Sequence, residues 1–487
     1  MPVRAGALLR TVDPMTEEAP DTTALTPDLT QLLRTLEQVM ELANRTDRRP
    51  QHERLSAAVT GHLGEQWATL PEEAFRFSSV RGDEVWAALQ AVIESDEGES
   101  PVVQGLGDEH LGGVGSLRSL VHQDIAFPNY HLVGPTFTTL TFPDGSTVRT
   151  PVVALVLLER EGEPQAVLFS PSPDGGQGVL TVLGQGAEAT IAAVHEALGA
   201  ASLFQGQVVE LHLDLTEMHD MRTSLTVLPR PEVTADQIVL PDGLLDRITG
   251  HVHGIHDAVD ALRGAGQHLR RGVLLYGPPG TGKTLVIRHL MARQDVTVVV
   301  LRSLEHGQMR AAMDLARTAQ PSLLVVEDTD LLLSAGPESF ELHALLEELD
   351  GLGGDADIAV VLTTNDPAAL LPSLNHRPGR IDLQVEVPLP DGEGRERLFA
   401  LYGAPLELPS VDLLAAAEAT DGASGAWIRE VVRREVLAAD REQRAPSGEG
   451  LLACIAGMRQ DDEAVLASAG GGDDDGFAED EDLDDYR

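Results

Sequence analysis

Eight consecutive residues, Gly277-Pro278-Pro279-Gly280-Thr281-Gly282-Lys283-Thr284, have the types and spacing of a phosphate cradle, the pattern G-x-x-x-x-G-K-[ST]. Glycines let the backbone curl so that successive N–H groups face an anion, and a following helix adds the positive end of its dipole. Lys283 would set a compact ammonium on the β- and γ-phosphates, and the Thr284 hydroxyl would ligate Mg²⁺, with Leu285 closing the binding segment. About 45 residues further on, the apolar run Leu323-Leu324-Val325-Val326 ends in Glu327-Asp328. Two carboxylates at a strand end near a phosphate loop suit two tasks: Glu327 holding the hydration shell of a metal, and Asp328 orienting an attacking water.

These residues need a strand before the cradle and a helix after it. Gly272–Leu275 and Leu285–Met291 supply both. Between residues 240 and 402, the short apolar runs Val273–Leu275, Val296–Leu301, Leu323–Val326, Ile358–Leu362 and Leu383–Val387 alternate with longer helical segments. That is the pattern of an α/β fold with a parallel sheet covered on both faces. A helical unit is expected over 403–446. Ahead of the module, 29–95 reads as helical and 101–233 as a mixed α/β domain, with β-rich runs at Thr136–Phe142, Val152–Leu158, Ala166–Phe169 and Val208–Leu213 and a helix at Ala187–Leu198. Residues 1–28 and 447–487 are expected to be disordered or linker, the latter ending in nine acids between Asp473 and Asp485.

Composition narrows the partners. The 487 residues carry 78 acids against 35 bases, a formal charge of −43, and 34 of the bases are arginine; Lys283 is the single lysine. Such a charge repels phosphate backbones, and the span Glu161 to Met221 holds nine acids and no Lys or Arg, so nucleic acid is not expected as a partner. One cysteine, Cys454, makes neither an intramolecular disulfide nor a cysteine zinc site. Only Ala5–Leu9 separates Arg4 from Arg10, too short for a signal-peptide core, and no apolar run reaches the length of a membrane span, so a cytoplasmic protein is expected. His251, His253 and His256 read as polar loop residues beside the nucleotide pocket, because no carboxylate or cysteine near them in sequence completes a metal site.

From about Leu240 to Asp440 the chain resembles the AAA branch of the AAA+ ATPases. Thr363-Thr364-Asn365 looks like sensor 1, whose Asn helps position the hydrolytic water. Arg377-Pro378-Gly379-Arg380 looks like the arginine-finger segment, which reaches the γ-phosphate held by a neighbouring subunit. Leu345–Leu352 resembles the helix before sensor 1, and Gly422–Ile428 the nucleotide-facing start of a lid helix. The resemblance implies a P-loop module with a helical lid, binding of ATP and Mg²⁺, hydrolysis, and a homo-oligomeric ring, usually of six, that remodels a protein partner or adaptor. The rival expectation is an assembly switch that binds ATP with little turnover.

Three features depart from that family. The acids run Glu then Asp, where Asp then Glu is usual, so hydrolysis is expected to be slow. The segment Leu301–Ala311 has no aromatic residue for a polypeptide-gripping pore loop, His306-Gly307 being the nearest remnant. Trp427 stands where the family usually places an acid. No HExxH motif occurs, which excludes a fused metalloprotease of that type. Asp485-Tyr486-Arg487 reads as a solvating acidic end rather than a docking tail.

Overall fold

A computed structural model describes residues 49–96, 100–107, 116–121, 131–171, 177–200, 202–215, 221–302, 308–329, 347–348, 351, 353–368 and 381–469. The expectations for residues 1–28, most of Leu345–Leu352, His306-Gly307, Arg377, Arg380 and the acidic terminal segment lie outside these residues. Within them, two sheets organise the chain.

The first sheet runs β1 (Glu72–Ser78), β8 (Gln177–Gly184), β7 (Glu163–Ser170), β6 (Ala154–Arg160), β2 (Val102–Gly107), β3 (His131–Val133), every neighbouring pair antiparallel. Its strands alternate between two cores. Val156, Val167, Phe169, Leu180 and Val182 meet Trp86 and Leu89 of α2 (Gly82–Glu94) and Val194 of α4 (Ala187–Ala200). Leu155, Leu168 and Leu183 face Leu55 and Val59 of α1 (Arg49–Leu63) and Leu117 and Leu120 of α3 (Leu117–Val121). A hairpin, β4 (Phe137–Thr141) with β5 (Thr147–Pro151), turns on Asp144, whose carboxylate accepts from the backbone N–H of Ser146 at 2.8 Å.

The second sheet has the order β10 (Met221–Leu228), β9 (Val208–Leu215), β12 (Thr297–Leu301), β13 (Ser322–Val326), β14 (Ile358–Thr364), β11 (Arg271–Tyr276), β15 (Leu383–Glu386). All pairs are parallel except β9 with β10. Both faces are buried, which is why the strands read as continuous apolar runs. Val299, Leu301, Leu324, Val326, Val360 and Leu362 point to one core. Val298, Val300, Leu323, Val325 and Val361 point to the other, against α5 (Leu244–Asp257) and α7 (Lys283–Met291); the short α6 (Val259–Gly264) follows α5.

The first of these cores also takes in residues from the turn after β1 and from the β4–β5 hairpin. Met309, Ala312, Met313 and Ala316 of α8 (Gln308–Thr318) lie in one apolar cluster with Val80 from the turn after β1 and Leu140 of β4. Beside it Glu84, 3% exposed, accepts from Arg81 and from the backbone N–H of Leu203 and the hydroxyl of Ser202. Burying a carboxylate is tolerated here because its lone pairs are filled.

These placements move three boundaries expected from sequence. Strand β1 falls inside the segment read as helical over 29–95, because Phe75 and Phe77 alternate with polar residues at the strand period and pair with β8. Strands β9 and β10, expected in the 101–233 domain, belong to the second sheet, where β9 adds a parallel neighbour to β12. The stretch opening 447–487 is not linker: α12 (Gly448–Ala469) buries Leu451, Ile455 and Met458 against α9 (Gly392–Gly403), α10 (Ser410–Glu418) and α11 (Gly425–Arg441). The helical unit thus begins at α9 and ends with α12. Ser424 caps α11 by accepting from the backbone N–H of Trp427, and Asp391 caps α9 through Gly394. Among the described residues no helix is long and apolar enough to cross a membrane.

Candidate active site

The loop 277–282 leaves β11, which lies between β14 and β15, and enters α7 at Lys283. Two of its glycines are required by space as well as backbone angle. A Cβ on Gly277 (φ 142°) would sit 2.3 Å from the carbonyl oxygen of Val387, and one on Gly280 (φ 76°) 2.8 Å from Ser424 Oγ. The close approach at Gly280 joins the loop to the helical unit, since the backbone N–H of Ala426 donates to the Gly280 carbonyl at 3.0 Å. Thr281 Oγ1 donates to Pro278 O at 3.0 Å.

Lys283 is buried at the first turn of α7. Its ammonium donates to Gly277 O at 2.7 Å, Pro278 O at 2.9 Å and Asn365 Oδ1 at 2.8 Å. Asn365 follows β14, which lies between β13 and β11, so the strand order carries a residue 82 positions away onto the lysine. Thr284 is exposed toward the cleft and Leu285 half-buried beside it.

Glu327 and Asp328 follow β13. Asp328 has a left-handed backbone, φ 50°, a conformation that Asp adopts more readily than most side chains. Two threonines stitch this turn to β14: Thr363 Oγ1 accepts from the N–H of Asp328 at 2.9 Å, and Thr363 O accepts from the N–H and the hydroxyl of Thr329, both at 2.8 Å. The left-handed turn gives the swapped acid order a physical context, the shorter acid standing at the strained position. Burial pushes the Glu327 carboxyl above its ordinary range; Arg302 opposes that rise and the neighbouring Asp328 adds to it.

Lys283, Thr284, Asp328 and Asn365 line one cleft of about 1480 Å³ between the second sheet and the helical unit, while Glu327 is half-buried beside it and not among the lining residues. Its apolar end is formed by Ile238, Val239, Leu240, Leu398 and Tyr402, and its polar end by residues 280–284, Asp328 and Asn365. Arg288, Arg397, Arg429 and Arg433 also line it, as do the acids Asp242, Asp391, Glu393 and Glu430, with the Arg429 guanidinium 5.9 Å from the Tyr402 ring centre. These arginines and Tyr402 have no local sequence signature; only the fold brings them together. Arg377 and Arg380 lie outside the described residues.

The three histidines sit within α5 rather than in a loop before a helix. His253 is buried and donates from Nε2 to Leu290 O at 3.1 Å; His256 Nδ1 donates to Asp357 at 2.6 Å. Asp357 also pairs with the buried Arg271 at 2.7 Å. They brace the sheet beside β11. Among the described residues, no group of three or more His, Cys, Asp or Glu side chains is arranged to hold a metal ion. Trp427 packs in the helical core, and its indole N–H donates to Asp462 of α12 at 3.1 Å.

Residues 273–389 match the model of the family described as "ATPase family associated with various cellular activities (AAA)". Over 233 residues the chain is 34% identical to a proteasome-activating nucleotidase of Methanopyrus kandleri, covering 44% of this chain and 53% of that protein. It is 34% identical over 192 residues to the proteasome-activating nucleotidase of Pyrococcus horikoshii, covering 36% and 48% of the two chains. It is 35% identical over 216 residues to the ATP-dependent zinc metalloprotease FtsH 4 of Sphaerobacter thermophilus, covering 39% and 32%. The chain therefore spans about half, or less, of the length of these relatives.

Proposed function

We propose that the AAA module of this chain binds Mg²⁺-ATP in the cleft between its sheet and its helical lid and hydrolyses it within an oligomeric ring. The observation that carries the reading is the convergence of Lys283, Thr284, Asp328 and Asn365 on one cleft, from the ends of three adjacent strands. Its volume exceeds that of a nucleotide. Its apolar end suits a base, and its polar end, with glycine-freed N–H groups and a helix N-terminus, suits phosphates.

Each residue then has a defined task. Lys283 exchanges its carbonyl partners for phosphate oxygens, and Asn365, already within hydrogen-bond distance of it, orients a water. Asp328 takes that water's proton as it attacks the γ-phosphorus, while the bond to the β–γ bridging oxygen breaks and ADP leaves with those electrons. The exposed Thr284 hydroxyl and the half-buried Glu327 carboxylate are the oxygen donors that would hold Mg²⁺. When bound, Mg²⁺ neutralises charge on the phosphates. Arg377 and Arg380 are assigned to the site of the adjacent subunit, which makes turnover dependent on assembly.

By similarity to the proteasome-activating nucleotidases, the work done is remodelling of a protein partner in a ring, which we take to be a hexamer. The unit of residues 49–200 is the proposed seat of that partner. A second reading, an assembly switch with little turnover, is favoured by the Glu-Asp order. Phosphate release measured at rising protein concentration separates the two. A rate that climbs cooperatively and vanishes in Arg380→Ala, with ATP binding kept, supports the ATPase; turnover no faster than in Asp328→Asn supports the switch.

A further inference from the structure

Three neighbouring strands carry a row of alternating charge. Strand β9 contributes Glu210, the residue after β12 is Arg302, and the residue after β13 is Glu327. Leu301 pairs with Val326, so Arg302 and Glu327 follow at the same level, and Val300 pairs with Glu210, which sets that acid two residues short of Arg302 along the strand direction. Alternation sets them on the same face. Val208, Val300 and Val325, each two residues from one of the three, all lie in the core beneath α7. Arg288 of α7 lines the nucleotide cleft.

Arg302 Nε and Glu210 Oε1 form an ion pair. The exposures differ in a telling way: the Glu210 side chain is 16% exposed and Arg302 67%. The acid is the fixed member, and the long arginine is held by it at the sheet end. Neighbouring strands are about 4.8 Å apart, so Arg302 lies within side-chain reach of Glu327 on its other side.

We propose that Glu210 is a positioning residue for the nucleotide site: it holds Arg302 toward β9 and thereby keeps the carboxylate of Glu327 open to Mg²⁺ instead of sealed in an ion pair. The inference rests on the Mg²⁺-ATP reading above, and it involves a strand outside residues 273–389, the extent of the family match. Losing the charge of Glu210 would release Arg302 to pair with Glu327 fully.

The test compares ATP affinity with Mg²⁺ and in EDTA, by titration calorimetry on the full chain in an Asp328→Asn background that blocks turnover. In the parent, Mg²⁺ is expected to tighten ATP binding. In Glu210→Gln that gain should shrink ~10-fold, the scale at which groups behind a metal ligand act, while affinity in EDTA is unchanged. The double variant Glu210→Gln/Arg302→Gln should regain most of it, which loss of folding or strand packing would not do. An undiminished Mg²⁺ gain in Glu210→Gln overturns the proposal, as does a double variant no better than the single, or an equal loss in EDTA. A parent that binds ATP without any Mg²⁺ gain overturns the Mg²⁺-ATP reading itself, and this proposal with it.

Discussion

The Lys283 ammonium and the Asn365 carboxamide oxygen stand 2.8 Å apart, joining the helix after β11 to the end of β14 across the mouth of the cleft. The lysine is buried, and two backbone carbonyls of its own loop share its remaining protons. An ammonium so placed is already desolvated and oriented. The phosphates replace acceptors of the loop rather than bulk water, and Asn365 is delivered to the γ-phosphate side by the same contact. Asn365→Ala should therefore leave ATP affinity within about threefold and lower phosphate release, whereas Lys283→Met should abolish binding. Equilibrium binding alongside steady-state turnover checks both; an Asn365→Ala enzyme as fast as wild type would remove this residue from the mechanism.

Asp328 is held at a positive φ by its bond to Thr363. Asp328→Asn keeps the shape and the tolerance of the left-handed turn but removes the base, so turnover should fall by about 10²–10⁴ with binding retained. Asp328→Glu separates chemistry from geometry. It restores a carboxylate at a backbone angle that disfavours it, at a strain of about 1–3 kcal/mol. A modest loss in both stability and rate is expected. If Asp328→Glu were faster than wild type, reach rather than turn geometry would limit the reaction.

Behind the phosphate loop, Asp357 accepts from Arg271 and His256 and is itself fixed by Gln320, whose side-chain oxygen accepts from its N–H at 2.8 Å. Arg271 is buried and also donates to Val252 O and Leu269 O. Removing one partner leaves an uncompensated buried charge, so Asp357→Ala should cost about 3–5 kcal/mol. Denaturant unfolding reads this directly. A cost under about 1 kcal/mol would mean that water or a neighbouring carboxylate replaces the lost partner.

His253 gives the stability of this region a defined pH dependence. Burial, helped by the Arg293 charge, lowers its pKa from 6.5 to about 4. The sign follows from proton binding. Between those values the unfolded chain takes up a proton that the folded chain refuses, so stability is full above pH 6.5 and is lost as pH falls toward 4. The loss amounts to about 3 kcal/mol. His253→Gln keeps a donor for Leu290 O and should flatten the stability profile in that window. An unchanged slope would assign the acid sensitivity to other groups.

What was legible in the sequence was what is local. The phosphate loop, its strand and its helix are contiguous, and glycine, lysine and threonine there answer to backbone geometry and charge within a few residues. The acids after β13 were legible because a buried strand must stop where charge begins. Long-range pairing left no such trace. Nothing in Val208–Leu215 says that it pairs with β12 rather than with the strands preceding it, so Glu210 could not be set beside Arg302. Thr363 and Thr329 read as ordinary strand-end residues until β13 and β14 are adjacent. The histidines of α5 misled for a related reason. Two glycines, Gly250 and Gly254, weaken the helical reading, yet neither would meet a neighbour with a Cβ, and Ile248 and Val252 buried against the sheet stabilise the helix regardless.

Helix α12 supplies the last prediction. Its apolar residues Leu451, Ile455 and Met458 pack with Phe399, Ile428 and Val431, and its N-terminus is tied down by Glu435, which accepts from the N–H of Ser447 at 2.8 Å and from Arg444. The carboxylate of Glu435 fills the space a Cβ on Gly450 would need, so that glycine is required by contact and not by backbone angle. The same helical unit presents Ala426 to Gly280, so whatever loosens it loosens one wall of the cleft. A chain ending at residue 447 would expose those three side chains, each worth about 1.5–3 kcal/mol of burial, and should lose both lid stability and ATP affinity. Gly450→Ala tests the same link without truncation, by driving Glu435 from its pocket. It should lower the melting temperature and weaken ATP binding together. A Gly450→Ala protein that melts earlier yet binds ATP as tightly as wild type would show that the lid core and the cleft wall are energetically separate.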